Sequence, residues 1–412
     1  MVSRHSGLAA LKGDIYRPQA KIGRFLSVLA LSGISYGLYR GVQDNYLAEI
    51  LHINAFERGL VEFFRETPGL LVVLLLAWMH RFTESRIFKI GIAIMTAGLI
   101  GLFLSSGGNP GKIIPVLFMV IFSAGEHIIM PVKTTISLDL ARPGTGGAAL
   151  GITGAISNAG NIAGFLVVTA LFFGFSRLGF ERSDPVPFQG VFALALALML
   201  GAVLIVLALQ ESTGNVSRRR FYFARKFFKY YMLEIFYGSR KQIFLTFAPY
   251  VLILQYGADT SLISLLLAVC AGCGILFSPL MGRLIDKVGY KFIMVTDTLI
   301  LIVVCFFYGF AHRLFSPQVA FMVVCVNYVL DSIISLASMA SNVYVQSIAS
   351  SQEEITATLS TGISVNHLIS IFIALMGGWI WKRTGIEVLF SISALLGIAN
   401  SLYAASIKRE EP

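Results

Sequence analysis

Charge is scarce in this sequence. Only 13% of its 412 residues are Asp, Glu, Lys or Arg, about half the share of a soluble domain. Hydrophobic residues make up 56%, and mean hydropathy is +0.78. That balance argues against a soluble enzyme or binding module. Cysteine is rarer still: Cys270, Cys273, Cys305 and Cys325 all lie inside apolar runs, which argues against a disulfide framework or a zinc site. Cys270 and Cys273 form a CxxC on one helix face at membrane depth and read as small packing residues. The first residues, MVSRHSGLAALKGDIYRPQAKIGR, lack a short apolar core followed by a small-residue cleavage site. They read as a retained basic tail and not as a signal peptide. There is no histidine pair at metal-ligand spacing, no serine elbow and no phosphate loop, so no catalytic group, metal or cofactor is expected.

Long apolar runs are what the chain has in abundance. Runs of about 20 residues, each able to cross the hydrocarbon core, recur along its length. The strands of a β-barrel would alternate apolar and polar instead. The fold class is therefore all-α polytopic. Hydropathy gives about twelve spans: 24–50, 58–80, 87–106, 112–140, 146–175, 189–210, 240–256, 260–282, 291–312, 317–347, 358–381 and 386–407. With the N-terminus placed inside, and residues at the very ends of spans counted with the adjoining loop, 22 of the 32 Lys and Arg residues fall on that side, 7 on the opposite side and 3 deeper within spans. This asymmetry puts both termini in the cytoplasm and the spans in the cell (inner) membrane. The pI near 9.5 reflects attraction to an anionic inner leaflet, and nothing in the pattern reads nucleic acid.

The charge also divides the chain. A tail at 1–23 precedes a six-helix bundle at 24–210, and a second bundle at 240–407 precedes a tail at 408–412. Between the bundles, residues 211–239 alternate Arg218, Arg219, Arg220, Arg225, Lys226 and Lys229 with Phe and Tyr. That segment reads as an amphipathic helix lying on the inner leaflet. The bundles look like repeats. An offset of 205 pairs PLMGRLIDKVGYKFIM (279–294) with LLLAWMHRFTESRIFKI (74–90), and Asp331 with Glu126. An offset of 208 pairs Gly362 with Gly154 and Asn366 with Asn158. Three coincidences in order, in corresponding spans, mark an internal duplication.

On these features the chain resembles the major facilitator superfamily of secondary transporters over nearly its whole length. Residues Gly282-Arg283-Leu284-Ile285-Asp286-Lys287-Val288-Gly289-Tyr290-Lys291 match the loop motif that this family carries between the second and third helices of a half. Gly282 and Gly289 suit tight packing and a sharp turn, and Asp286 suits a latch beside a helix N-terminus and nearby cations. The first half departs from the motif, with Ala77, Arg81 and Glu84 at the positions of Gly282, Asp286 and Gly289. Span 5 lacks the Gly-Pro of the antiporter motif, and Ile121 stands where drug antiporters of the family carry a mid-membrane Arg.

An ionisable group at bilayer depth costs about 2.5–3.5 kcal/mol on insertion scales and persists where it meets a cavity or a partner. Glu126 and Asp331 each lie about fourteen residues into their spans, near the midplane. The resemblance puts both on cavity-lining helices, and a carboxylate taken out of water holds a proton more readily. Either can be a coupling or substrate group; for Glu126 the alternative is a structural ion pair with Lys133 or a neighbouring helix. His127 and His367 read as packing groups or proton relays. A second cluster spans 39–69: Arg40 and Asp44 one turn apart, then Arg58, Glu62, Arg65 and Glu66 at helical spacing, then Pro68 and Gly69. It reads as a salt-bridge network closing an outer gate, with Glu62 and Arg65 in it. Alternatively Arg40 captures an anionic substrate and Glu66 or Asp44 couples an ion. Tyr36, Asn327 and the paired Asn158 and Asn366 complete the expected substrate contacts.

The expected activity is alternating-access transport of a small organic anion or zwitterion, coupled to protons or to sodium, by a monomer. Export of amphipathic or lipid-like molecules is the second reading. A membrane-embedded enzyme or a transport-dead sensor is the contrasting class.

Overall fold

The computed structural model describes residues 15–17, 22–79, 81–108, 111–209 and 222–407. Most of the expected tails and the first part of the 211–239 segment lie outside these residues. The described residues form twelve long helices and one isolated antiparallel bridge, between Tyr16 and Ala141. The helices are α1 (Ile22–Asn45), α2 (Ala55–Trp78), α3 (Glu84–Ser106), α4 (Ile113–Leu140), α5 (Gly146–Arg177) and α6 (Pro185–Leu207). The second set is α7 (Phe228–Tyr256), α8 (Thr260–Val288), α9 (Tyr290–Leu314), α10 (Pro317–Ile348), α11 (Gln352–Thr384) and α12 (Ile386–Ala405). A 3-10 turn, Ser335–Ser338, interrupts α10.

Local chemistry sets the ends. Asn54 accepts from the N–H groups of Phe56 and Glu57 while Glu57 reaches back to the Asn54 N–H, a reciprocal cap that starts α2. Asp259 accepts from the Leu262 N–H to cap α8, and Ser351 from the Glu354 N–H to cap α11. Gly289, at φ +87°, turns the chain between α8 and α9, where a side chain would be strained. Beyond α1 the backbone widens to a π-helical turn, Tyr46–Ile50. Ten helices are long and apolar enough to span a membrane on composition alone. The other two, α2 and α7, carry interior charge instead. Large apolar side chains such as Leu74, Leu104, Leu204 and Leu402 stay exposed on the surface, which suits a lipid environment.

Contacts group the chain into two compact units, Met1–Val42 with Leu71–Arg218, and Gln43–Leu70 with Arg219–Pro412. Unit 1 is knit by α3 against α4 and α6, with Phe88, Leu99, Phe122, Phe188 and Phe192 buried. There Gly160 of α5 approaches the α1 backbone so closely that a Cβ on it would lie only 3.0 Å from the Ala30 carbonyl oxygen. Unit 2 is knit by α7, α9, α11 and α12. It also contains residues 43–70, the end of α1 and the start of α2, which the sequence-based bundle 24–210 assigns to the first half.

A second difference concerns the linker. No separate surface helix occupies residues 222–239. The 3-10 turn Arg225–Phe227 leads directly into α7, and Phe227, Tyr230, Tyr231 and Leu233 are buried with Ile285, Tyr344 and Val345. Aromatic burial outweighs the basic face, so the membrane helix starts at Phe228 and not near 240.

Candidate functional site

Two polar clusters lie inside unit 2. The first gathers charge from 43–70 onto α7 and α11. Arg58 is completely buried, and its guanidinium bridges Asp44 (3.0 Å) and Glu62 (2.8 Å). Arg65 then bonds Glu62 and Glu66, each at 2.6 Å. Gln242 of α7 donates to Glu62 (3.2 Å) and to Thr246 (2.8 Å). His367 Nδ1 of α11 meets Glu66 at 2.9 Å. The Tyr250 ring lies 5.6 Å from the Arg58 guanidinium, and its hydroxyl donates to the Ile53 carbonyl. Charge-assisted bonds of this kind are short and directional, which holds the helices in one register. Asp44, expected to pair with Arg40, is thus bonded to Arg58, whose forked guanidinium reaches two carboxylates at once.

Backbone packing closes the same region. A Cβ on Gly378 would stand 2.9 Å from the Ala55 carbonyl and 3.1 Å from Phe56 Cα, so α2 and α11 touch main chain to main chain. A Cβ on Gly59 would clash with the Ala374 carbonyl oxygen and stand 3.3 Å from Gly378 Cα. Gly378→Val is expected to wedge this contact open. Overpacking of about 2 kcal/mol, mid-range for such a change, corresponds to roughly 30-fold in the population of the parted form. An Ile53→Cys probe, added to a cysteine-free background, should then react at least about tenfold faster with an impermeant maleimide. Unchanged labelling would show that this contact is not a gate.

The second cluster was not apparent from the sequence. Arg240 of α7, only 3% exposed, donates to Asp297 of α9 (3.2 Å) and stands 4.0 Å from Asp331 of α10. Tyr237 supports the guanidinium from 5.6 Å. Asp331 Oδ1 is buried and accepts no hydrogen bond from the described residues. Two carboxylates thus share one cation. Hydropathy sets Arg240 at the edge of the basic linker, and the early start of α7 moves it inside. Asp297 is the only acid in the apolar run 291–312, a signal sufficient to flag it. Glu234, also on α7 and buried, accepts from Asn366 and Ser341, each at 3.2 Å. Asn366, expected to contact substrate, is therefore engaged by a neighbouring acid. Asn327 lies one turn before Asp331 and donates along its own helix to the Val323 carbonyl.

The remaining substrate and coupling candidates lie in unit 1. Tyr36 stacks on Phe122 (6.3 Å, 20°), Arg40 and Glu126 are half-buried, and Asn158 is exposed on α5. His127 Nδ1 lies 2.8 Å from the Ser123 carbonyl, one turn back. The offset of 205 that pairs Glu126 with Asp331 sets Ser35 and Ile92 at the places of Arg240 and Asp297. The duplication did not carry the charge cluster with it. In the loop motif, Asp286 and Arg283 are exposed in the last turns of α8, and Asp286 forms no ion pair with the described residues. A Cβ on Gly282 would meet nothing within 4 Å. The motif's turn is formed, while the packing and latch expected of Gly282 and Asp286 are not made in this structure.

Twelve helices with a charged interior narrow the relatives sharply. Residues 230–412 match the family model of the Major Facilitator Superfamily. No curated protein matches the sequence significantly. Among solved structures, a D-xylose–proton symporter superposes with TM-score 0.76 at 15% identity, covering 95% of this chain and 99% of that one. The nucleoside transporter NupG gives 0.71 at 15% identity, covering 92% and 97%. A bacterial homologue of the human lysosomal transporter Spinster, inward-facing and occupied, gives 0.64 at 18%, covering 93% and 94%. The sequence of the second half thus matches the superfamily model, and the fold of the whole chain is the one these solved transporters share.

Proposed function

We propose that this chain is a proton-coupled secondary transporter of a small polar organic solute, working by alternating access, with Asp331, Arg240 and Asp297 as its coupling group. The observation that carries this reading is the buried triad itself: one guanidinium against two carboxylates, with Asp331 the looser partner at 4.0 Å. A single proton on Asp331 makes the triad neutral. Its loss pulls the carboxylate toward Arg240 and changes the packing of α7 against α10. Desolvated charge clusters of this kind respond strongly to one proton. The solved neighbours, which include a proton symporter of D-xylose and a nucleoside transporter, support transport of polar solutes. An organic anion or zwitterion is the favoured class, with half-buried Arg40 as its charge partner. The network from Asp44 to His367 acts as the outer gate, and Asp286 as an inner latch made in another state. Both termini face the cytoplasm, a placement supported by the asymmetry of basic residues.

Uptake by proteoliposomes under an imposed pH gradient, screened over sugars, nucleosides, amino acids and carboxylates, tests the reading. A solute should accumulate with an inward proton gradient and not with an inward sodium gradient alone. Accumulation driven only by sodium would assign another ion. No accumulation of any solute, with equilibrium exchange also absent, would favour the transport-dead sensor.

A further inference from the structure

At the end of unit 2 that carries Ile407, a cavity of about 600 Å³ opens among the ends of α7, α9, α10 and α12. Its walls include Arg225, Lys226 and Lys229 on one side and Tyr290, Tyr344 and Ile407 on the other. The three cations come from a single stretch of chain because residues 225 and 229 stand one turn apart. Lys226 is tied to Glu354 (2.6 Å) and Ser350 (3.2 Å). Lys229 donates to the Ser406 carbonyl (2.7 Å), and Lys291 to that of Ile407 (2.6 Å). Arg225 is exposed and forms no ion pair with the described residues. The site therefore combines a cavity with three cations, of which Lys226 alone is paired with a carboxylate among the described residues. Phe228 lines it and is 50% exposed, and Phe223 nearby is 54% exposed.

We propose that this cavity binds the headgroup of an anionic phospholipid, with the phosphate held by Arg225 and Lys229 and the acyl chains lying beside Phe228. A phosphodiester matches the guanidinium fork, and basic pockets between helix ends suit such headgroups. Exposed aromatic rings at the rim favour a lipid over a free phosphate, because they offer the chains an apolar surface. The lipid would clasp the starts of α7 and α9 to the ends of α10 and α12. The site is separate from the triad and does not depend on which solute is carried.

The test uses the delipidated full-length protein in a neutral detergent. Dihexanoyl-phosphatidylglycerol, dihexanoyl-phosphatidylcholine, glycerol phosphate and inorganic phosphate are titrated, and binding is read from the thermal shift and by native mass spectrometry. Phosphatidylglycerol should bind and stabilise the wild type, and phosphatidylcholine should not. Arg225→Gln with Lys229→Gln should weaken phosphatidylglycerol roughly 30-fold, about fivefold per cation. Should the double variant fold poorly, Arg225→Gln alone, at an exposed position, should show the fivefold loss and Arg225→Lys should recover it. Equal binding by wild type and variants, or by phosphatidylcholine, overturns the proposal. Binding of glycerol phosphate or inorganic phosphate as tightly as the lipid overturns the lipid assignment in favour of a free-phosphate site.

Discussion

Asp331→Asn is expected to abolish gradient-driven accumulation while sparing solute exchange at equilibrium. Asparagine keeps the size and hydrogen-bonding reach of the side chain but carries no titrating proton. In the native triad Asp331 stands 4.0 Å from Arg240, which is already bonded to Asp297 at 3.2 Å. Removing the Asp331 charge therefore leaves a matched pair and should not strand a buried ion. A one-proton cycle under a gradient of one pH unit sustains roughly tenfold accumulation, since one unit is worth about 1.36 kcal/mol. In the variant the accumulation ratio should fall toward one. Counterflow with equal solute on both sides, which requires no net proton movement, should continue at a rate within a few-fold of wild type. The pH dependence of solute affinity should flatten as well. Accumulation and pH dependence retained in the variant would remove Asp331 from coupling, and the parallel Glu126→Gln variant then tests the other midplane acid.

Arg240→Gln should do the opposite: fail in stability before it fails in function. Among the described residues, its guanidinium is the only cation set against Asp297 and Asp331. Deleting one partner of a buried ion cluster costs about 3–5 kcal/mol, because the remaining charge has lost its solvation and its counter-ion. The variant should show a lower melting temperature and lower yield. Neutralising all three positions, as Arg240→Gln with Asp297→Asn and Asp331→Asn, should restore most of the stability, since no uncompensated charge remains. That triple variant should still not accumulate solute. Stability is thereby separated from coupling: recovery of both would make the triad structural, and a single Arg240→Gln variant that melts like wild type would show that the cluster is not tightly coupled.

The outer network was largely readable in advance. Arg58, Glu62, Arg65 and Glu66 recur at spacings of three and four, so a helix must bring them together. Their partners were not readable. Asp44 lies one turn from Arg40, and spacing alone pairs those two, yet the fold brings Arg58 to it across the α1–α2 turn. Gln242 and His367 enter from helices far later in the chain, 180 residues beyond Glu62 and 301 beyond Glu66. The network is a property of where the end of α1 and the start of α2 pack, which no local pattern encodes.

The inner triad shows the limit more sharply. Alternating cations and aromatics in 222–241 satisfy a surface helix as well as a buried one, and hydropathy averages cannot choose between them. Tertiary packing chose: Tyr230 and Tyr231 found a buried aromatic setting, α7 began at Phe228, and Arg240 was carried into the interior to meet Asp297. What the sequence determined by itself was the all-α membrane class, the helix count and the asymmetry of basic charge. These follow from composition and period, which act along the chain. The tertiary structure alone decided which charges are buried together, because a guanidinium acquires its meaning from the carboxylates within a few ångströms, and those come from helices distant in sequence.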